Sequence, residues 1–192
     1  IMVSLAWNLY LIHGQTIEQA RIEARTIYTH NLAYRKWNTR HGGVYVKLEG
    51  QTKPNPYLVV EDRDLTTTTG TKLTMINPFQ MTREAYELLR QEAGEPVYNR
   101  TVSGEFLNPD NEPDTWEDKA LADFERGIEE VSAVTEMQGA PYMRLMRPYI
   151  TYKGCIKCHG FQGYDVGDIR GGMSISVPMQ PYLQQEEEGR NR

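Results

Sequence analysis

Apolar residues recur along residues 16–40 at intervals of mostly two to five, which suits one face of an α-helix. These positions are Ile17, Ala20, Ile22, Ala24, Ile27, Leu32 and Ala33. Neither glycine nor proline interrupts the segment, and Gly42 and Gly43 follow it. Because glycine adopts the left-handed conformations that end a helix, the pattern predicts one long helix over residues 16–40.

Alternating apolar and polar residues predict strands further along the chain. The predicted strands are residues 44–48, 97–107, 129–137, 142–152 and 171–177, with a brief apolar run at residues 73–76. Gln138 and Gly139 form a predicted turn between two of these strands. Since the strands of the second half follow one another through short turns, we expect an antiparallel sheet.

Two shorter helices are predicted beside the strands. Residues 82–92 are strong helix formers and precede Gly94, whereas residues 116–126 follow Asp114 and precede Gly127. The polar residues 184–192 should form a solvated tail. Mixed helices and antiparallel strands predict a single α+β domain over residues 14–183, preceded by a long N-terminal helix.

The first residues of the chain are almost wholly apolar, with Trp7 and Tyr10 towards the polar end. A membrane span needs about 20 such residues, and this stretch has about half of them. We interpret residues 1–13 as the distal end of a membrane anchor or signal helix with aromatic residues at the interface. The alternative is an amphipathic helix that packs on a partner.

The net charge and the two cysteines exclude some classes of protein. The 192 residues carry a formal net charge of -5, so we do not expect nucleic acid as a partner. The two cysteines are Cys155 and Cys158, which are too close in sequence for a framework of disulfides that close long loops.

Cys155, Cys158 and His159 have the C-x-x-C-H spacing of c-type haem attachment. Each cysteine binds one vinyl group of the porphyrin, and the adjacent histidine reaches the iron from the proximal side. A redox-active dithiol would leave His159 without a role, and a structural zinc site would need four ligands. The motif therefore predicts one covalently bound haem c.

A bound haem also needs apolar walls and cations for its two propionates. The wall candidates that flank the motif are Tyr142, Met143, Leu145, Met146, Tyr149 and Phe161, which a sheet core would use equally well. Arg144, Arg147 and Arg170 are the candidate propionate partners, although arginine on a strand often faces solvent.

The sixth iron ligand is open between several side chains. His41 is our first choice, because it lies at the end of the long helix beside two glycines that allow close approach of the backbone. Met75 and Met81 are the sulfur alternatives, although most methionines fill cores. His13 and His30 are better interpreted as surface residues.

Several blocks of the chain resemble a known family. They are YRKWNTRHGGVYV, LTMINPFQMTREAYEL, PYMRLMRPYIT, GCIKCH and GDIRGGMSISVPM, in this order. Together they resemble the single-haem c-type domain with a PAS-like fold, which occurs at the extracytoplasmic end of bacterial membrane-bound signalling proteins and as free-standing proteins in cyanobacteria. The resemblance covers roughly residues 14–180.

The resemblance implies a PAS-like antiparallel sheet with flanking helices, and haem attached at Cys155 and Cys158 with His159 as ligand. One family member has a cysteine as distal ligand, which this chain cannot supply because it has no third cysteine. Signalling members continue into cytoplasmic transmitter modules, and no such module is present in these 192 residues.

Two functions fit these observations. The first is haem-based sensing of redox state or a small gas, and the alternative is an electron-transfer cytochrome associated with a membrane complex. No acid-base or nucleophilic constellation predicts an enzyme. We expect a membrane-anchored protein in the periplasm or its equivalent. Its expected partners are the membrane, a second copy through the N-terminal helix or a larger complex, and a redox protein or gas ligand.

Overall fold

The computed structural model describes residues 2–92 and 97–190, with side chains from residue 7 onward. Its helices are α1 (Met2–Arg40), α2 (Pro78–Glu92), α3 (Thr115–Glu125), α4 (Ile156–His159) and α5 (Gln180–Arg190). Its strands are β1 (Val44–Lys47), β2 (Asp64–Thr66), β3 (Lys72–Ile76), β4 (Tyr98–Val102), β5 (Val131–Met137), β6 (Ala140–Ile150) and β7 (Ile169–Pro178). The predicted helix stop at Gly94 lies outside the described residues, as do Ile1 of the apolar segment and residues 191–192 of the tail.

The strands form two antiparallel sheets, with the orders β1-β3-β2 and β4-β7-β6-β5. The α+β class and the antiparallel arrangement are confirmed, although the strands divide between two sheets. Strand β2 was not predicted, because its three residues are all exposed and therefore show no alternation of apolar and polar positions. The predicted turn between β5 and β6 is present, with positive φ at Gln138 and Gly139.

The long helix α1 runs without a break from Met2, well before the predicted start at residue 16. Its buried side chains lie three or four residues apart and form one stripe, consisting of Thr16, Ala20, Ala24, Tyr28, Asn31, Arg35 and Asn38. The helix ends as predicted: Gly42 and Gly43 have positive φ, and the N–H of Gly43 donates to the carbonyl of Asn38 at 3.1 Å. None of the described helices is long and apolar enough to cross a membrane.

Helices cover both faces of the four-stranded sheet. Met143, Leu145 and Tyr149 of β6 pack with the alanines of α1, whereas Met146 packs with Phe124 of α3. A strand between two covered faces is buried throughout, which explains the unbroken run of buried residues 142–146. Full burial of each large apolar side chain contributes about 1.5–3 kcal/mol, so this sheet is the main core of the domain.

The C-terminal segment is helical rather than an irregular tail. Helix α5 packs along α1, and Tyr182 and Leu183 join the core under α1. His13 of α1 lies 3.1 Å from Glu186 of α5. Most α5 side chains are exposed, so the segment is solvated as predicted, but its apolar residues hold it against α1 as a helix.

Candidate cofactor site

The C-x-x-C-H segment forms an excursion between β6 and β7. Two backbone hydrogen bonds of 2.8 Å close its base: the Thr151 N–H donates to Asp168, and the Gly167 N–H donates to Thr151. Within the excursion, the 3₁₀ turn Lys153–Cys155 leads into α4, which carries Cys158 and His159. The two longest strands of the sheet therefore anchor the segment at both ends.

Both cysteines are free thiols and are partly buried. Burial raises the pKa of the Cys155 thiol and of the Cys158 thiol above the usual value. Because the thiolate is the reactive form in disulfide exchange, this environment does not favour a redox-active dithiol. The described residues contain no group of three or more His, Cys, Asp or Glu side chains positioned to hold a metal ion.

Gln162 orients the imidazole of His159. The Nδ1 atom of His159 lies 2.9 Å from Gln162 Oε1, which also accepts a hydrogen bond of 3.2 Å from Arg170 Nη2. Since the amide oxygen only accepts, Nδ1 carries the proton and Nε2 has a free lone pair. Burial is the main reason that the pKa of His159 is lowered, with the charge of Arg170 adding to it against the hydrogen bond to Gln162. The site thus presents a neutral imidazole in the tautomer that a metal-binding histidine needs.

A cavity adjoins the two thiols and the imidazole. Its walls come from the end of α1, the loop 55–59, the start of α2, the segment after β4 and the motif segment. The apolar lining residues include Leu58, Val59, Met75, Phe79, Val102, Phe106, Leu107 and Tyr149. The cations in the lining are Arg83, Lys157 and Arg170. The cavity therefore combines apolar walls with positive charge.

Arg170 is the one predicted propionate partner that lines the cavity. Its Nη1 donates to Ser103 Oγ at 2.6 Å, and its guanidinium lies 4.9 Å from the centre of the Tyr164 ring. Ser103 and Gln162 thus hold this guanidinium from two sides. Neither of these supporting residues was identified from the sequence, because their roles arise only when β4, β7 and the motif segment come together.

Arg144 and Arg147 lie elsewhere, which corrects the prediction that they face the cofactor. Arg144 is buried on the α3 face, where it pairs with Asp114 at 2.7 Å and with Glu117 at 3.2 Å. Arg147 pairs with Glu130 at 2.7 Å. Strand alternation predicts which face of the sheet each β6 side chain occupies. It does not predict which carboxylates from other elements pair with that side chain.

Most of the predicted wall residues also lie away from the cavity. Met143 and Leu145 belong to the core under α1, and Met146 packs under α3. The ring of Tyr142 lies 5.7 Å from that of Tyr98, and Phe161 is 64% exposed. Tyr149 lines the cavity because it lies near the end of β6, next to the motif segment.

The structure reorders the candidates for a distal ligand. His41 is exposed and its ring lies 4.6 Å from that of Trp37, one helical turn earlier, so it does not line the cavity. Met81 is also outside the lining and accepts a 3.7 Å contact from Asn38 Nδ2. Met75 does line the cavity and is 3% exposed. His30 is exposed, and His13 contacts Glu186, as expected for surface residues.

Comparison with known proteins places the sequence of the chain in a family. The model of the Tll0287-like family matches residues 13–178, and no curated protein matches the chain. One similar solved structure is described as the crystal structure of the cyanobacterial heme-protein Tll0287. It is 18% identical, the match covers 50% of this chain and 68% of that one, and the TM-score is 0.40. On the strength of the match over residues 13–178, the chain belongs to the Tll0287-like family.

Proposed function

We propose that the chain is a haem protein, and that Cys155 and Cys158 attach the haem covalently as haem c with His159 as proximal ligand. Family membership supports haem binding, since the family is named after Tll0287, which is described as a heme-protein. The residues of the site fit the group: two free thiols three positions apart, one neutral imidazole, apolar walls and cations for propionates. When bound, haem would supply an iron that changes oxidation state and binds a small ligand.

Other residues of the site would orient His159 and bind the propionates. Gln162 holds the Nδ1 proton of His159, which keeps Nε2 available and fixes the plane of the ring. Arg170 is positioned for a propionate by Ser103 and Gln162. Arg83 and Lys157 add positive charge to the lining, each already paired with one aspartate at 3.2 and 3.0 Å respectively.

Met75 is the proposed distal ligand, in place of His41. A Cβ at Gly43 would lie 2.8 Å from the Sδ atom of Met75, so the glycine leaves the thioether the room that it occupies. His159 is the one histidine among the described lining residues. A thioether is a weaker ligand for ferric iron than a second imidazole would be and raises the reduction potential.

We propose haem-based sensing of redox state or a small gas as the function, with a permanently six-coordinate electron-transfer cytochrome as the alternative, since His and Met ligands also occur in cytochromes c. The observation that supports sensing is that Met75, whose thioether a gas could displace as an iron ligand, lines the same cavity as the end of α1. Asn38, Thr39, Gly42 and Gly43, at and just after the end of α1, also line the cavity, so a change in ligation would act directly on the end of a 39-residue helix. The expected context is a membrane-anchored protein outside the cytoplasm, where c-type haem is attached.

Carbon monoxide binding to the reduced protein tests this function. We expect the gas to shift the optical spectrum of the native protein, and to bind faster in Met75→Leu, a swap that nearly conserves volume. Met81→Leu and His41→Ala are the controls, and both should behave as the native protein does.

The opposite pattern supports electron transfer instead. If the native spectrum is low-spin and unmoved by carbon monoxide while His41→Ala alone admits the gas, then His41 is a fixed ligand. The sensing proposal would then be wrong, although the haem itself would remain.

A further inference from the structure

A second cavity lies between α1, α2 and β4, next to the cofactor cavity. Four arginines line it: Arg35, Arg83, Arg90 and Arg100. Three of them have carboxylate partners, in the pairs Arg83–Asp110, Arg90–Glu87 and Arg100–Glu117. Arg35 has no carboxylate partner within the described part of the chain.

Arg35 is a buried charge that the protein leaves incompletely satisfied. Its side chain is 1% exposed, and its Nε and Nη2 atoms both donate to Thr82 Oγ1, at 3.2 and 2.9 Å. Its Nη1 atom has no hydrogen-bond partner among the described residues. The guanidinium lies 4.6 Å from the centre of the Phe79 ring and 5.9 Å from that of Tyr149. Aromatic faces and one hydroxyl offset only part of the cost of burying a cation.

The guanidinium is charged under ordinary conditions. Burial lowers the pKa of Arg35 to about 10, so the side chain stays protonated at neutral pH. A buried charge without a partner is rare in proteins, because its desolvation is not repaid. An anion in the adjoining cavity is the simplest way to complete the site.

Other polar atoms of the cavity are also without partners. Among the described residues, neither Nδ2 nor Oδ1 of Asn99 has a hydrogen-bond partner, and the hydroxyl of Thr101 has none either, although all three atoms are buried. Both residues come from β4 and line the cavity with Arg35. Native proteins satisfy almost all buried polar atoms, so this cluster indicates a ligand with polar groups.

We propose that the second cavity binds a carboxylate, which accepts a hydrogen bond from Arg35 while Asn99 and Thr101 bind its remaining polar groups. A planar guanidinium matches a carboxylate better than any other side chain does. The site is distinct from the thiols and imidazole of the cofactor site.

Two sources of this carboxylate have the same chemistry. One is a small organic anion from solution. The other, which rests on the proposed haem, is a propionate that reaches across from the cofactor cavity, since both cavities share Phe79, Arg83, Thr101 and Asn111.

Calorimetric titration of the haem-loaded protein with acetate, pyruvate and succinate, against sodium chloride at equal ionic strength, tests the first source. We expect saturable binding of at least one anion, and a dissociation constant raised at least tenfold in Arg35→Gln, as the loss of a charge-assisted hydrogen bond implies. Asn99→Ala should weaken binding less. Arg147→Gln, which alters an arginine that lines neither cavity, should leave binding unchanged.

The pH dependence of the reduction potential tests the second source. If no anion binds but Arg35→Gln changes this pH profile while Arg147→Gln does not, the carboxylate is a propionate. The proposal is overturned if a folded Arg35→Gln changes neither anion binding nor the profile; if that variant does not fold, Arg35→Lys and Asn99→Ala decide in the same way. A chain that takes up no haem in a host that matures c-type cytochromes, but still binds an anion, would overturn the proposed function and leave this site intact.

Discussion

Two buried arginines occupy opposite sides of the molecule's main sheet, and their surroundings differ. On the α3 side, Arg144 lies 2.7 Å from Asp114 and 3.2 Å from Glu117, with the Trp116 ring at 4.3 Å. On the α1 side, Arg35 contacts a hydroxyl and two aromatic rings and meets no carboxylate among the described residues. The charge of Arg144 is neutralised by carboxylates of the fold, whereas Arg35 lines the second cavity without such a carboxylate among the described residues.

The two arginines therefore have different roles: Arg144 stabilises the fold, and Arg35 is suited to binding a ligand. The ion pairs of Arg144 with two carboxylates neutralise its buried charge and stabilise the packing of α3 on the sheet. An open cation adds nothing to packing that an apolar side chain would not, so its presence fits a role in binding. Substitutions on the α3 side should therefore change stability, and those on the α1 side should change haem or ligand properties.

The largest expected effect is on the α3 side. Glu117 is fully buried, lies 2.9 Å from Arg100, and accepts the capping hydrogen bond from the N–H of Asp114. Glu117→Gln leaves Arg144 and Arg100 with one carboxylate fewer, which should lower the free energy of unfolding by about 3–5 kcal/mol. Urea unfolding at neutral pH measures this. The control Asp123→Asn, at the surface pair with Arg126, should cost at most about 1 kcal/mol; equal losses in both variants would contradict the comparison.

A smaller effect on stability, with an added effect on haem, is expected at Gly43. Gly43 has φ +109° and Gly42 has φ +77°, so alanine at either position should cost about 1–2 kcal/mol of strain. Only at Gly43 does the new Cβ meet the thioether of Met75, since no atom of the described residues lies within 4 Å of a Cβ at Gly42. Gly43→Ala should therefore also change carbon monoxide binding and the reduction potential, whereas Gly42→Ala should not. Identical haem properties in the two variants would count against Met75 as a ligand.

The smallest effect concerns acid stability. Burial raises the pKa of Asp114, but the hydrogen bonds from Glu117, Trp116 and Arg144 outweigh it, and the pKa is lowered overall. Such a carboxyl adds stability above its unfolded pKa of about 3.9, which is lost as the pH falls through the lower folded value. Because Asp114 is partly exposed, screening keeps this contribution below about 1 kcal/mol.

Asp114→Asn retains an N-cap for α3 and should flatten the loss of stability below about pH 4. Acid titration of the free energy of unfolding measures the slope. Arg35→Gln removes a charge that meets no carboxylate in the described part of the chain and should leave the slope unchanged. A steeper dependence in Asp114→Asn would show that the carboxyl is not stabilised by its neighbours.

The sequence predicted the features that depend on local chemistry. Helix α1 and its end at Gly42 and Gly43, the antiparallel strands and the α3 cap at Asp114 follow from periodicity, backbone freedom and side-chain capping. The spacing of Cys155, Cys158 and His159 is likewise local. In these places neighbouring residues determine the structure.

Features that depend on contacts between residues far apart in the chain could not be predicted from the sequence. Arg144 was expected to face the cofactor, but Asp114 and Glu117, which hold it, lie about 30 residues away in the chain. His41 has the right position in the chain, but the last turn of α1 directs its ring to Trp37. Arg35 gave no signal because a lone arginine on a helix resembles a solvated residue until its burial is known.

The most direct test of covalent haem attachment is the intact mass of the denatured chain, produced in a host that matures c-type cytochromes. We predict the mass of the polypeptide plus one haem, which withstands acid-acetone extraction, and its loss when Cys155 and Cys158 are both replaced by serine. A native chain that gives up its haem on extraction, or a double variant that still carries the added mass, would contradict attachment through these two thiols.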